Sequence, residues 1–154
     1  PTLPNESIST QLEIDGMSLL SDSGFQRYEI SAYCQNNRFS AHNLNYWQYG
    51  DFYGIGAGAH GKLTFQNEGL TILRTQKYRQ PKDYLQIEKK FMADQQWLDQ
   101  EEIIFEFMLN TSRLEQKISH QLFFERTGLP FTMCDSMISS TSAAVTPPYQ
   151  TCSG

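Results

Sequence analysis

Hydrophobic positions follow a helical spacing in some stretches and a strand spacing in others. Over Ser7–Ser23, Ile8, Leu12, Leu19 and Leu20 fall on one helical stripe, and Thr10 with Glu13 fits a capping box. Gly24 is placed to stop that helix in a left-handed conformation. From Arg27 to Tyr33 the pattern alternates. Tyr28, Ile30 and Ala32 share one face and Glu29, Ser31 and Tyr33 the other, which predicts a strand. Gln35–Ser40 is a polar loop. Asp51–Ala57 reads as a second strand whose Gly54, Gly56 and Gly58 leave one face bare. Such a face marks the close approach of a ligand or another backbone. Lys62–Gln66 and Leu70–Arg74 form a hairpin about Asn67-Glu68-Gly69, with Gly69 at the left-handed position.

The remainder reads as helical. Pro81 suits the first turn of a helix running to about Met92. A second helix spans about Leu98–Leu114, with Ile103, Ile104, Phe107, Met108 and Leu114 as its apolar side. A third starts at Ser119 and stops before Gly128. Met133–Gly154 holds one charge, Asp135, among many Ser and Thr, and reads as an unfolded tail.

Composition narrows the function. The 154 residues allow one ordinary domain with its own core, or one and a small piece of another. The formal net charge of −5 argues against a partner held through its phosphates, so no nucleic acid is expected. No apolar run suits a transmembrane segment and no secretory leader is visible, which favours a cytoplasmic location. Cys34, Cys134 and Cys152 are too widely spaced for a disulfide framework or a metal clamp.

Candidate chemistry concentrates in Ala41–Gly61. Gly56-Ala57-Gly58-Ala59-His60-Gly61 matches the letters of a dinucleotide fingerprint, but Lys62-Leu63-Thr64-Phe65 follows it as a strand. The fingerprint needs a helix there to hold the pyrophosphate. His42 is the most interesting titratable group. A neutral imidazole is a good axial ligand for haem iron, and Tyr46, Trp47, Tyr49 and Tyr53 could cover a porphyrin face. A histidine hydrogen-bonded within its loop fits the same spacing. His60 reads as a strand-end residue capping a turn, and His120 as a surface or capping residue. Glu101, Glu102 and Glu106 read as complements to a helix dipole, and Cys34 as a small buried hydrophobe.

Three ordered blocks resemble one known family. RYEISAYC (Arg27 to Cys34), AHNLNYW (Ala41 to Trp47) and GDFYGIGAGAHGKL (Gly50 to Leu63) resemble the HemW family of haem chaperones. These are radical-SAM relatives of the oxygen-independent coproporphyrinogen III oxidase HemN. The resemblance continues through Glu101–Leu114 and SHQLFFERTGLP (Ser119 to Pro130). It implies an α/β fold, an α+β fragment: 1–76 would be the C-terminal end of a radical-SAM (β/α) barrel with its glycine-rich strand and hairpin. Residues 77–132 would start the helical HemN-type C-terminal domain, and 133–154 would be a divergent or disordered tail.

The family's HNxxY motif maps onto His42, Asn43 and Tyr46, implying a haem site with His42 on the iron. The glycine-rich stretch implies contact of Gly56, Ala57 and Gly58 with S-adenosylmethionine. The family's 4Fe–4S cluster uses CxxxCxxC, which this sequence lacks, so this chain is not expected to cleave S-adenosylmethionine by itself. The implied partners are haem or a porphyrin and haem-requiring respiratory proteins. Two alternatives stand beside the chaperone: radical decarboxylation of coproporphyrinogen III to protoporphyrinogen IX, and an inactive truncated product.

Overall fold

The computed structural model describes residues 3–134 except 87 and 89. It is mixed α and β, with two small antiparallel sheets. All strand pairings among the described residues are antiparallel.

Helix α1 (Glu6–Asp22) begins at Asn5, whose side chain accepts from the Ile8 amide. The expected Thr10 cap is instead a mid-helix residue bonding back to the Glu6 carbonyl. Gly24 takes the anticipated left-handed conformation, φ 80°. None of α1 is buried: Ile8, Leu12 and Leu19 all stay exposed.

The single strand expected over Arg27–Tyr33 is a hairpin of β1 (Gln26–Glu29) and β2 (Ala32–Cys34). Ile30 leaves the alternation because its amide donates to the Arg113 carbonyl at 2.9 Å. Ser31 completes the turn by donating to Glu29 at 3.0 Å. A short helix α2 (Ala41–Trp47) follows, where no regular element was expected. Asp51–Ala57 is not a strand; only Phe52 is paired, to Lys62 of the next strand.

Strands β3 (His60–Gln66) and β4 (Leu70–Lys77) form the expected hairpin, longer than anticipated. Gly69 is not left-handed; the Asn67 amide closes the bend on the Gly69 carbonyl. The helix expected from Pro81 to Met92 ends early, as α3 (Pro81–Tyr84). Lys90 and Phe91 then adopt φ 51° and 61°, turning the chain into β5 (Met92–Trp97). That strand pairs with the open side of β4, giving the order β3-β4-β5. Its sequence MADQQW shows no apolar alternation because it is an exposed edge. The β4–β5 pairing spans the expected boundary at 76–77.

Helix α4 (Gln100–Thr111) carries a full capping box between Asp99 and Glu102, which explains the acidic residues at its start. Helix α5 (His120–Thr127) is capped by Ser119 and ends at left-handed Gly128, as expected. The core joins Tyr49, Ile72, Ile103, Ile104, Phe107, Phe123 and Cys134. Met108, expected on the apolar side of α4, faces outward, and Thr111 is buried in its stead. Met133 and Cys134, expected to open the tail, belong to this packing instead. The remaining expected tail, 135–154, lies outside the described residues.

Candidate functional site

Helix α2 presents the candidate residues, and polar contacts hold it in place. Ser40 caps it by accepting from the Asn43 amide at 3.3 Å. His42 is exposed, and no hydrogen bond reaches its imidazole among the described residues. Asn43 does not orient the imidazole; its side chain donates to the Tyr28 hydroxyl at 3.2 Å and ties the helix to β1. Tyr46 lies four residues after His42, on the same helical face. Its ring packs against Phe52 with centres 4.8 Å apart and meets Trp47 edge-on at 5.0 Å.

The far end of α2 is also fixed. The Arg113 guanidinium covers the Trp47 ring at 4.3 Å and donates to Glu29 at 3.3 Å and Ser31 at 3.1 Å. The Glu29 side chain is 2% exposed, so this charge pair needs those partners. Two backbone bonds join the same regions, Ile30 to the Arg113 carbonyl and Glu115 to the Tyr28 carbonyl.

Tyr49 is where the sequence pattern misled. Expected to cover a porphyrin, it is fully buried at the end of α2 with φ 59°. A left-handed tyrosine costs about 1–3 kcal/mol. Its hydroxyl donates to Glu106 at 2.9 Å, and its carbonyl accepts from Lys62 at 3.0 Å. Burial and the Glu106 carboxylate push the phenol far above its ordinary range. Gly50 follows because a Cβ there would strike Asn45. Tyr53, another expected cover, points outward at 80% exposure.

Lys62 is the centre of a second network. It is 1% exposed, and its ammonium donates to Tyr49, to Asp51 at 3.0 Å and to Thr64 at 3.1 Å. Burial lowers its pKa, and Asp51 partly offsets this. Burial opposes the charge on Asp51 too. Bonds from the Thr64 hydroxyl and amide, with Lys62, nevertheless hold that carboxyl below the usual range. Arg74 donates to Glu106 at 3.0 Å, so Glu106 serves this buried network rather than the helix dipole.

The glycine run divides by cause. A Cβ on Gly54 would collide with the His60 carbonyl, and one on Gly61 would lie 2.6 Å from the Thr75 hydroxyl. The close neighbour anticipated at these glycines is therefore the protein's own chain. Gly56 and Gly58 are left-handed turn residues, φ 102° and 73°, flanking exposed Ala57. The Gly56 amide donates to the Tyr84 hydroxyl and the Gly58 amide to the Tyr78 carbonyl. His60 opens β3 rather than capping its end. His120 stacks on Phe131 at 4.0 Å.

Among the described residues, no group of three or more His, Cys, Asp or Glu could hold a metal ion. Cys34 and Cys134 are both buried. These residues do not fit a 4Fe–4S cluster, whereas the open imidazole of His42 could hold a haem iron. His42 lines neither of two cavities: about 430 Å³ between the sheet and α4, and about 280 Å³ beside Tyr28, Phe39 and Leu44. No described helix is long and apolar enough to cross a membrane.

Phe52 is the residue sequence reasoning missed. Its signal was its place between Asp51 and Tyr53 in the GDFYGIG block. Only its pairing with Lys62 and its contact with Tyr46 distinguish it from neighbouring aromatics.

Comparison with known proteins bears on this region. The chain is 38% identical over 138 residues to a protein described as heme chaperone HemW from Escherichia coli (strain K12), covering 90% of this chain and 34% of that protein. A protein of the same description from Haemophilus influenzae is 39% identical over 129 residues, 84% of this chain and 33% of that protein. Radical S-adenosyl methionine domain-containing protein 1, mitochondrial, from Mus musculus is 39% identical over 66 residues, 43% of this chain and 15% of that protein. No family model and no solved structure matches the chain. The chain spans about a third of the length of the heme chaperone relatives described here. By this similarity, the chain is a relative of the HemW family, matched over about a third of those proteins' length.

Proposed function

We propose that this chain carries the haem-contacting part of a HemW-type haem chaperone. His42 would hold the haem iron through its imidazole nitrogen, with Asn43 and Tyr46 fixing the helix that carries it. The observation behind this reading is an exposed imidazole without a hydrogen-bond partner, on a helix anchored at Ser40, Asn43, Tyr46 and Trp47. An open ring nitrogen on a fixed support is what ligation requires. An open surface also suits a protein that must release its cargo, more than a deep pocket does. The relatives described as chaperones favour this reading over the decarboxylase one.

Bound haem would supply the iron that accepts the imidazole nitrogen; this chain's residues present that nitrogen and the ring surface beside it. On the same reading, 1–76 belong to the end of a radical-SAM barrel and 77–132 to the start of the adjoining domain. The turn at Gly56, Ala57 and Gly58 would bring its exposed edge toward S-adenosylmethionine. The cluster has no ligands among the described residues, and no cleavage step is assigned to them. Haem-requiring respiratory proteins in the cytoplasm or at its boundary would receive the haem.

The test is a hemin titration followed at the Soret band. The wild-type chain is expected to shift that band. His42→Ala should weaken binding by about tenfold or more and change the spectrum of what remains bound. Identical titrations and spectra for the two proteins would remove His42 from the role.

A further inference from the structure

We infer that Phe52, which lies outside the HNxxY pattern, is a direct contact for the tetrapyrrole plane, and that Lys62 positions it. The inference rests on the haem reading above, and it adds a face where that reading names only an iron ligand. Tyr46 stands one helical turn from His42, about 6 Å along the axis. A ring there shares the helical face that carries the imidazole. The Phe52 ring continues that surface, with its centre 4.8 Å from that of Tyr46 and the planes inclined by 38°. Phe52 is half-buried, so part of its ring remains accessible.

The backbone of Phe52 is held more firmly than a loop residue usually is. Its amide donates to the Lys62 carbonyl at 3.0 Å, and its carbonyl accepts from the Lys62 amide at 2.9 Å. The Lys62 side chain grips both preceding anchors, the Tyr49 carbonyl and the Asp51 carboxylate. Asn45 adds a bond from its side chain to the Asp51 carbonyl at 2.9 Å. On the other side, the Arg74 guanidinium lies 5.7 Å from the Phe52 ring centre, itself held by Glu106. A surface ordered before the ligand arrives spares the ligand the cost of ordering it. Tyr49, the neighbouring aromatic, is sealed in the core and can give nothing to this face.

The full chain and its variants are titrated with hemin and, separately, with iron-free protoporphyrin IX. Phe52→Leu keeps the backbone pairing and loses the ring. It should weaken both ligands by about three- to tenfold. His42→Ala should impair hemin while leaving protoporphyrin near wild type, since no iron is present to ligate. Lys62→Met should weaken both ligands and Lys62→Arg should recover part of the loss. A merely structural lysine would lower the melting temperature and leave the affinity of the folded fraction unchanged. Phe65→Leu, an aromatic loss beside Trp97, should leave both titrations unchanged. If Phe52→Leu fails to fold, Phe52→Met carries the same expectation, because it also removes the ring and keeps apolar volume there. Wild-type affinity for both ligands in the folded ring-deleted variant overturns the Phe52 contact and leaves the His42 ligand intact. Loss of both ligands in Phe52→Leu, with hemin undisturbed in His42→Ala, overturns the iron ligand and keeps the face. A wild-type chain that binds neither ligand overturns both.

Discussion

Helices α2 and α4 are held in place by different forces. Helix α4 buries Ile103, Ile104, Phe107 and Thr111 in the core, and its start is closed by a reciprocal capping box. Helix α2 buries no residue at all. It is held by a serine cap, an asparagine–tyrosine bond, an arginine over a tryptophan and one aromatic pair. Hydrophobic burial is strong and non-directional, whereas these polar and edge contacts are weak singly but fix orientation. The contrast places stability in one helix and geometry in the other. That division suits the haem site proposed above, which needs a well-aimed ligand on an accessible surface.

The largest expected effect tests the core side. Phe107 is fully buried, and its ring meets Tyr49 at 5.9 Å and Phe123 at 5.0 Å. Phe107→Ala should cost about 3–5 kcal/mol, read from urea denaturation. A cost close to that of a surface substitution would show that the core is not where burial puts it.

Asn43→Ala addresses the other side of the contrast. It removes the bond to Tyr28 and should cost about 0.5–1.5 kcal/mol. Its effect on hemin affinity should be out of proportion to that loss, because α2 then loses its tie to β1. Equal hemin titrations for Asn43→Ala and the wild type would mean that this bond does not aim His42.

The smallest effect concerns acid. The Asp51 carboxyl titrates below its ordinary value, 3.8, in the folded chain. Its folded state therefore binds fewer protons than the unfolded state in that window. The stability it contributes is present above the ordinary pKa and is lost as the pH falls through the folded one. Asp51→Asn should flatten the acid limb of a pH–stability curve recorded by thermal melting. An acid limb of the same steepness in both proteins would place the proton uptake elsewhere.

Local chemistry explains which parts were legible. The ends of α5 were readable because Ser119 and Gly128 carry cap chemistry in their own side chains and backbone freedom. The β3–β4 hairpin was readable because its strands are adjacent in sequence. Helix α2 was not, because it has seven residues, too few to display a period, and it stops at a left-handed Tyr49 instead of a glycine. Strand β5 was hidden because an exposed edge has no reason to alternate. The candidate residues His42, Asn43 and Tyr46 were nameable from the AHNLNYW block, yet their division of labour was not. Asn43 holds the helix to Tyr28 and leaves the imidazole alone.

The order of residues was thus enough to establish the ends of α5, the principal hairpin and the family resemblance, since each depends on side chains a few positions apart or on a local pattern. Which aromatics meet the outside was settled by packing across the molecule. Tyr49 turns inward because Glu106 and Lys62, 57 and 13 residues away, offer it partners. Phe52 stays beside Tyr46 because β3 holds its backbone. Contacts between distant residues depend on how the elements pack together, and no local spacing encodes that arrangement.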